Sequence, residues 1–167
     1  MRPAILPAFI LATLCALVAL AQQGAEAPRP KNPAPTTAAM HLTAAQINAV
    51  AEELASTKKP THQFFAEKTY NAEVRRLVGP QPILRHATKS DFMVIRDGEG
   101  TFMTGGELVN GKPGGGDPGD MRGDSIRGGV SRVLKPGDVM FVPAGIPHGF
   151  VETKDHVTFV MTRYDTK

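Results

Sequence analysis

Residues 135–152 read KPGDVMFVPAGIPHGFVE, and this stretch decides the fold more than any other. It begins with a turn, Lys135–Asp138, that has Pro at its second position and Gly at its third, as suits a type II turn. A short apolar strand follows and leaves the sheet near Pro143 and Pro147, which cannot donate an amide hydrogen to a ladder. His148 therefore lies at a bend, where its side chain can point into the mouth of a barrel.

A second stretch, residues 83–100, reads ILRHATKSDFMVIRDGEG and combines a strand pattern with polar side chains. His86 is followed five residues later by Asp91 and twelve residues later by Gly98. Because glycine adopts a positive φ at little cost, Gly98 is expected to make a tight turn at a strand end. The stretch therefore places an imidazole and a carboxylate close to the start of a predicted strand.

These two stretches resemble the two conserved motifs of the cupin family. The second family motif runs Gly, five residues, Pro, one residue, Gly, two residues, His. The sequence meets it in full at Gly137, Pro143, Gly145 and His148. The resemblance covers about residues 62–165, and it implies a cupin-like jelly-roll β-barrel similar to the small single-domain cupins.

The first family motif runs His, one residue, His, four residues, Glu, six residues, Gly, and here the sequence departs from the pattern. His86, Asp91 and Gly98 stand at the second His, the Glu and the Gly, but Leu84 stands at the first His and cannot bind a metal. The resemblance implies that His86, Asp91 and His148 bind a divalent transition metal, Fe, Mn, Zn or Ni. Such a two-His-one-carboxylate set leaves coordination positions open for a substrate or O₂.

Other side chains can fill the place of the missing histidine. His62 lies on an early predicted strand that can line the same barrel, and Gln63 or Gln81 can supply a carbonyl oxygen. His156 is expected to be an ordinary strand residue with satisfied nitrogens. A second interpretation needs no metal, because the two motif histidines can simply donate hydrogen bonds to a ligand in the pocket.

The rest of residues 61–167 consists of short extended runs separated by Gly and Pro, and aromatic and β-branched residues are frequent in them. The predicted strands are residues 62–68, 72–77, 82–88, 92–96, 100–104, 129–134, 139–142, 149–153 and 156–164. Many short strands without a βαβ rhythm predict an all-β sandwich or barrel. The glycine-rich stretch 105–129 is predicted as a long, mobile surface loop between two strands.

One helix is predicted before the barrel, within residues 41–60. Thr43 begins a capping box, which satisfies the free amides at a helix N-terminus. Three apolar residues at helical spacing, Ile47, Val50 and Leu54, form one stripe. The helix is therefore expected to dock on the barrel through this stripe.

The N-terminus predicts export. Residues 1–21 read MRPAILPAFILATLCALVALA, which has the short basic start, apolar run and small-residue exit of a signal peptide cleaved after Ala21. Residues 22–40 are rich in Pro and Ala and are predicted as a disordered linker. A periplasmic or secreted location follows. Because Cys15 is the only cysteine, the mature chain has no disulfide and no thiol site.

Composition limits the partners. The chain has 167 residues and a formal net charge of +3, and no basic stripe that could track phosphates is visible. Nucleic acid is therefore not an expected partner, and neither is a membrane after signal cleavage. The resemblance implies an oxygenase or isomerase acting on a small organic molecule. A non-catalytic protein that binds a small ligand is the alternative, and a homodimer, which many cupins form, is a further expectation.

Overall fold

The computed structural model describes residues 32–167, so the predicted signal peptide and the first part of the predicted linker lie outside the described residues. The first regular element of the described chain, and the one helix within residues 32–167, is α1 (Ala44–Thr57). The strands that follow are β1 (Thr61–Ala66), β2 (Tyr70–Leu77), β3 (Ile83–Arg85), β4 (Lys89–Thr104), β5 (Glu107–Val109), β6 (Lys112–Pro113), β7 (Met121–Gly123), β8 (Ser125–Arg127), β9 (Val130–Leu134), β10 (Val139–Val142) and β11 (His148–Asp165). The prediction of an all-β fold with one N-terminal helix is confirmed.

Two long strands, β4 and β11, organise the barrel. They pair antiparallel along almost their whole length, from Lys89 opposite Asp165 to Thr104 opposite His148. β2 pairs with the second half of β11 and β1 pairs with β2, whereas β9 and β10 pair with opposite halves of β4. Each long strand replaces two shorter predicted strands, and in this respect the sequence-based prediction is wrong.

Gly98 explains why the long strands bend without ending. Its φ is +72°, as the sequence predicts for this glycine, but β4 continues through it, opposite a bulge in β11 between Thr153 and Val157. A Cβ at this position would overlap the backbone carbonyl of His156 on β11. Close approach of the two backbones therefore replaces the expected tight turn, and the pair continues into the second half of the barrel.

The core lies between the inner faces of these strands. Its buried members are Leu77, Met93, Ile95, Phe102, Leu134, Val142, Phe150, Val157, Phe159 and Met161. Side chains alternate between the two faces of a strand, so the row in which Met93 lies opposite Met161 continues two residues further to Asp91 opposite Arg163. A charged pair thus projects from the same inner face as the apolar core.

Residues 105–129 are not the long mobile loop that the sequence predicts. They form β5 to β8, in which β5 pairs with β8, and β7 pairs with both β3 and β6. Ile126 is buried, and the absence of a side chain at Gly123 lets Leu108 pack against the backbone there. Glycine in this stretch therefore permits close packing, and the segment closes one side of the barrel.

Helix α1 docks on the outside of β2, as expected. The side chain of Thr43 accepts a hydrogen bond from the amide of Gln46, whose side chain in turn accepts from the amide of Thr43, so the predicted capping box is present. Leu54 on the helix and Val74 on β2 are both buried where the two elements meet. No helix within residues 32–167 is long and apolar enough to span a bilayer.

The end of the predicted linker touches the barrel. The carbonyl of Asn32 accepts a hydrogen bond from the amide of Ala66 at 2.8 Å, and its side chain donates to the carbonyl of Gln63 at 2.9 Å. The amide of Ala34 donates to the carboxylate of Glu67 at 2.8 Å. This segment therefore runs along the outer edge of β1, while the predicted domain boundaries stay predictions.

Candidate metal centre inside the barrel

Three polar side chains converge at one end of the barrel interior: His86, Asp91 and His148. Asp91 lies near the start of β4, His148 is the first residue of β11, and His86 follows β3 directly. All three are buried, and one potential ligand atom from each lies within 4.8 Å of the others. Asp91 Oδ2 is 3.9 Å from His86 Nε2 and 3.3 Å from His148 Nε2. The residues that the sequence predicts as ligands thus form one cluster that can hold a metal.

The proline-flanked bend before β11 orients His148. Its Nδ1 donates a hydrogen bond to the carbonyl of Ile146 at 2.9 Å, because a carbonyl oxygen can only accept. Gly145, with φ +89°, donates its amide to the carbonyl of His86 at 2.7 Å and so joins the two motif stretches. With a proton on Nδ1, the other ring nitrogen, Nε2, can offer a lone pair, and it lies 3.3 Å from Asp91 Oδ2.

His86 is held by a carboxylate that the sequence analysis does not single out. Asp120 Oδ2 lies 2.8 Å from His86 Nδ1, and Asp120 Oδ1 accepts a hydrogen bond from the amide of Ala87 at 2.9 Å. The pKa of Asp120 lies below its ordinary value, because these hydrogen bonds outweigh the burial that would raise it. Asp120 is therefore an anion that accepts a hydrogen bond from the Nδ1–H group of His86.

The other nitrogen of His86, Nε2, has no hydrogen-bond partner within residues 32–167. Burial lowers the pKa of His86, and the positive charge of Arg163 lowers it further, so the ring is neutral at pH 7. Its Nε2 is buried and makes no hydrogen bond to any residue of the described chain. Buried polar atoms are rarely left unpaired in folded proteins. A lone pair directed at Asp91 and His148 is therefore the most unusual feature of the cluster.

Asp91 is paired with a second residue outside the sequence prediction. Arg163, near the end of β11, donates from Nε to Asp91 Oδ1 at 2.6 Å and from a terminal nitrogen to Oδ2 at 2.9 Å. Burial on its own raises the pKa of Asp91, but the hydrogen bonds and the positive charge of Arg163 outweigh it and hold that pKa well below its usual range. Asp91 is therefore ionised at neutral pH.

The donor set fits a divalent transition metal. Two imidazole nitrogens and a carboxylate oxygen suit first-row metals, and two bonds of about 2.1 Å span at most about 4.2 Å. Both distances to Asp91 Oδ2 fall below that span. An ionised carboxylate has about four lone-pair positions, so Asp91 can accept Arg163 and still offer one to a metal. Metal-binding histidines usually donate their second nitrogen to a carboxylate or carbonyl, as His86 and His148 do.

A cavity of about 90 Å³ opens beside the cluster. Asp91 and His148 contribute to its wall, and Leu84 lies in the wall at the place of the missing family histidine. The remaining wall combines apolar core side chains with three arginines. It includes Phe102, Phe159, Met161, Arg75, Arg122 and Arg163. The cluster therefore faces a small, largely apolar pocket.

The alternative ligands divide into two groups. His62 lies on the outside of the fold, where its Nδ1 is 4.0 Å from Glu53, and neither His62 nor Gln63 lines the cavity. Gln81 does line the cavity, although its amide nitrogen donates to the carbonyls of Val78 and Gly79. His62 is therefore not the spare ligand that the sequence suggests, and Gln81 is the only one of the three beside the cluster.

Comparison with known proteins adds evidence on the fold. No protein-family model matches the sequence, and a search of curated proteins finds no match. Among solved structures, a protein from Bacillus halodurans is similar at 9% identity over 84% of this chain and 88% of its own, with a TM-score of 0.52. The cupin domain of Schizosaccharomyces pombe Cnp3 matches at 14% identity over 64% of each chain, with a TM-score of 0.43.

A hydroquinone 1,2-dioxygenase in complex with Cd²⁺ and 4-hydroxybenzonitrile is also similar, at 19% identity over 77% of this chain and 82% of its own, with a TM-score of 0.51. The chain has the cupin fold. In this cupin barrel the two motif stretches lie side by side, joined by the Gly145–His86 hydrogen bond. At such low identities the similarity extends to the fold alone, so the chemistry has to be argued from the residues of this chain.

Proposed function

We propose that this chain is an exported cupin that binds a divalent transition metal through His86, Asp91 and His148. We further propose that it acts on a small organic molecule by oxygenase or isomerase type chemistry. The observation that carries the proposal is the buried, unpartnered Nε2 of His86. An unsatisfied buried polar group costs about 1–3 kcal/mol, and a bound cation removes that cost.

The surrounding residues support a metal rather than an accidental cluster. Asp120 keeps the proton of His86 on Nδ1, and Ile146 does the same for His148, so both Nε2 lone pairs face Asp91. Arg163 keeps Asp91 ionised inside the barrel. A metal held by His86, Asp91 and His148 would supply Lewis-acid or O₂-binding chemistry. The largely apolar cavity gives a small molecule a place beside Asp91 and His148.

A non-catalytic cupin that binds a small ligand without an obligatory metal is the second candidate. Two observations favour it: Leu84 stands where the family has a histidine, and Arg163 already neutralises Asp91 through two hydrogen bonds. The buried Nε2 of His86, which has no hydrogen-bond partner among residues 32–167, favours the first candidate. Measurement of metal content separates the two.

The test is elemental analysis of purified protein beside three variants, His86→Ala, His148→Ala and the control His156→Ala. His156 bonds to Asp97 and Asp155 outside the cavity, so its loss leaves the centre intact. We expect near-stoichiometric Fe, Mn, Zn or Ni in the parent and the control, and loss of the metal from the other two variants. A folded parent that takes up none of these metals when they are supplied contradicts the proposal.

Export is a separate part of the proposal and rests on residues 1–21. We expect the purified mature protein to begin at Gln22 and to appear in the periplasm or the medium. N-terminal sequencing of protein from fractionated cells checks both points. A chain recovered in the cytoplasm with Met1 in place contradicts this part and leaves the metal proposal untouched.

A further inference from the structure

Three arginines face the cavity from three different strands: Arg75 on β2, Arg122 on β7 and Arg163 on β11. Arg163 is occupied by Asp91. Arg122 is exposed, and it lies opposite Leu84 across the β3–β7 pair, at the rim of the cavity. Charged residues are usually excluded from the interior of a small barrel unless they are paired. The buried Nε of Arg75 therefore needs an explanation that the metal cluster does not supply.

Arg75 lies on the inner face of β2, directly opposite Phe159 of β11. Its side chain is 24% exposed, and its Nε is buried without a hydrogen-bond partner among residues 32–167. Glu73 Oε1, 3.8 Å from that Nε, is too distant for a hydrogen bond. Burial lowers the pKa of Arg75 and raises that of Glu73, so the two charges are only partly compensated by each other. A buried arginine donor on the inner face of β2 thus has no hydrogen-bond acceptor among residues 32–167.

The rest of the wall fixes the kind of molecule that would supply the acceptor. Phe102, Phe159 and Met161 present apolar surface, which favours carbon over water. A water molecule occupies about 30 Å³ of liquid, so a cavity of about 90 Å³ has room for a few non-hydrogen atoms. A bulky ligand does not fit, whereas a short carbon chain ending in one anionic group does.

We propose that the cavity binds a small organic carboxylate, with the carboxylate on Arg75 and Arg122 and the carbon chain against the apolar wall. This inference rests on the proposed function and names its substrate class. Arginine suits the carboxylate because its planar donors match both oxygens. Asp91 and His148 line the same cavity, so the bound carbon chain lies beside the candidate metal centre.

The test is calorimetric titration of metal-free protein, produced from the full chain, with acetate, propanoate and butanoate. The neutral probes are the matching amides, acetamide, propanamide and butanamide. We expect the carboxylates to bind, with affinity rising about fourfold per added methylene until the cavity is full, and the amides to bind at least about tenfold more weakly. Amides that bind as tightly as the acids overturn the proposal.

Variants locate the binding. Arg75→Gln should weaken butanoate binding at least about tenfold, and Arg75→Lys, which keeps the charge but not the planar donors, should give an intermediate loss. The control is Arg96→Gln, which removes the same charge from an exposed position on β4 outside this cavity. Equal losses in Arg75→Gln and Arg96→Gln, or no loss in either Arg75 variant, overturn the assignment.

Two further outcomes keep the inference separate from the proposed function. Inorganic phosphate that binds more tightly than every carboxylate would mean that the apolar wall does not select the ligand, and the organic part of the proposal would be wrong. The titration uses metal-free protein, so its result does not depend on the separate measurement of metal uptake. A protein that binds carboxylates but takes up no metal contradicts only the metal proposal. Metal uptake without any carboxylate binding contradicts only this inference.

Discussion

In two places in this barrel, one histidine lies beside two aspartates. The two groups differ in how deeply their side chains are buried and in how the histidine nitrogens are hydrogen-bonded. Inside, His86 lies beside Asp120 and Asp91, and all three side chains are at most 2% exposed. At the bulge between β4 and β11, His156 bonds to Asp97 at 2.9 Å and to Asp155 at 3.2 Å. The latter two carboxylates are 69% and 90% exposed.

The difference lies in the free lone pair. Both ring nitrogens of His156 have a carboxylate partner, so this ring has no free nitrogen for a metal. His86 has one partnered nitrogen and one buried nitrogen that points at two other potential ligands. Residue composition is therefore the same in both groups, and burial with an open nitrogen distinguishes the candidate site from a surface cluster. The following predictions test that distinction, beginning with the largest effect.

The largest effect is expected from Asp91→Asn. It leaves the half-buried Arg163 without its anion, and breaking a buried pair in this way costs about 3–5 kcal/mol of unfolding free energy. Asp97→Asn at the exposed group should cost less than about 1 kcal/mol. Urea unfolding of metal-free protein measures both values. Similar costs for the two substitutions would show that the interior pair is no more important to stability than the surface one.

Gly98→Ala is expected to damage the bulge through the backbone instead of the ion pairs. A left-handed φ costs a non-glycine residue about 1–3 kcal/mol, and at Gly98 the new Cβ also overlaps the carbonyl of His156. Gly145→Ala is the matched control, since its φ is +89° but only the amine of Lys167 lies nearby, at 3.2 Å. The difference between their unfolding free energies reports the overlap. A Gly145→Ala cost equal to that of Gly98→Ala contradicts this explanation.

Asp120→Asn is expected to weaken the metal centre without removing a ligand. The amide oxygen of Asn accepts the hydrogen bond from His86 Nδ1 less strongly than a carboxylate does. Loss of a carboxylate that orients a metal-binding histidine typically lowers metal affinity about 10–100-fold. Asp155→Asn, which changes the partner of His156, should leave metal affinity unchanged. Competition with a chromophoric chelator measures the affinities. Equal affinities in Asp120→Asn and the parent protein would mean that Asp120 does not orient His86.

The smallest effect concerns pH and Asp97. The hydrogen bond from His156 lowers the pKa of Asp97, so its contribution to stability is present above the unfolded value of about 3.9 and is lost as the pH falls through the lower folded value. The stability difference between the parent and Asp97→Asn should therefore shrink below about pH 4. Unfolding curves from pH 7 to pH 3 check this. A difference that grows with acidity contradicts the assignment.

The motif ligands can be predicted from the sequence because their placement is local. The Pro and Gly pattern around His148 sets a bend, and the short distance from His86 to Asp91 keeps both at the start of β4. Their convergence then needs the pairing of β10 with β4, which puts Val142 opposite Asp91, and of β3 with β11, which puts Leu84 opposite His148. The alternation that predicts Val157, Phe159 and Met161 as inward residues also continues to Arg163, so the sequence contains a signal for that residue.

Asp120 and the strands around it have no such signal. Asp120 reaches His86 across 34 positions of sequence, from a stretch whose glycines and short strands look like a loop. Tertiary packing decides its role, because Gly123 and Leu108 pack closely enough for β7 to pair with β3. Arg75 on the inner face of β2 likewise has no signal in the sequence. Only the closed barrel shows that its Nε is buried without a hydrogen-bond partner among residues 32–167.

The contact of Asn32 with β1 has a consequence for how molecules of this protein meet one another. An open strand edge offers unpaired amides and carbonyls to a neighbouring chain and is a common starting point for aggregation. Asn32 occupies the amide of Ala66 and the carbonyl of Gln63 on that edge, and Ala34 is tied to Glu67 just beyond it. The segment that contains Asn32 and Ala34 therefore shields the edge of β1 from association with another chain. A shortened chain that begins at helix α1 loses that protection.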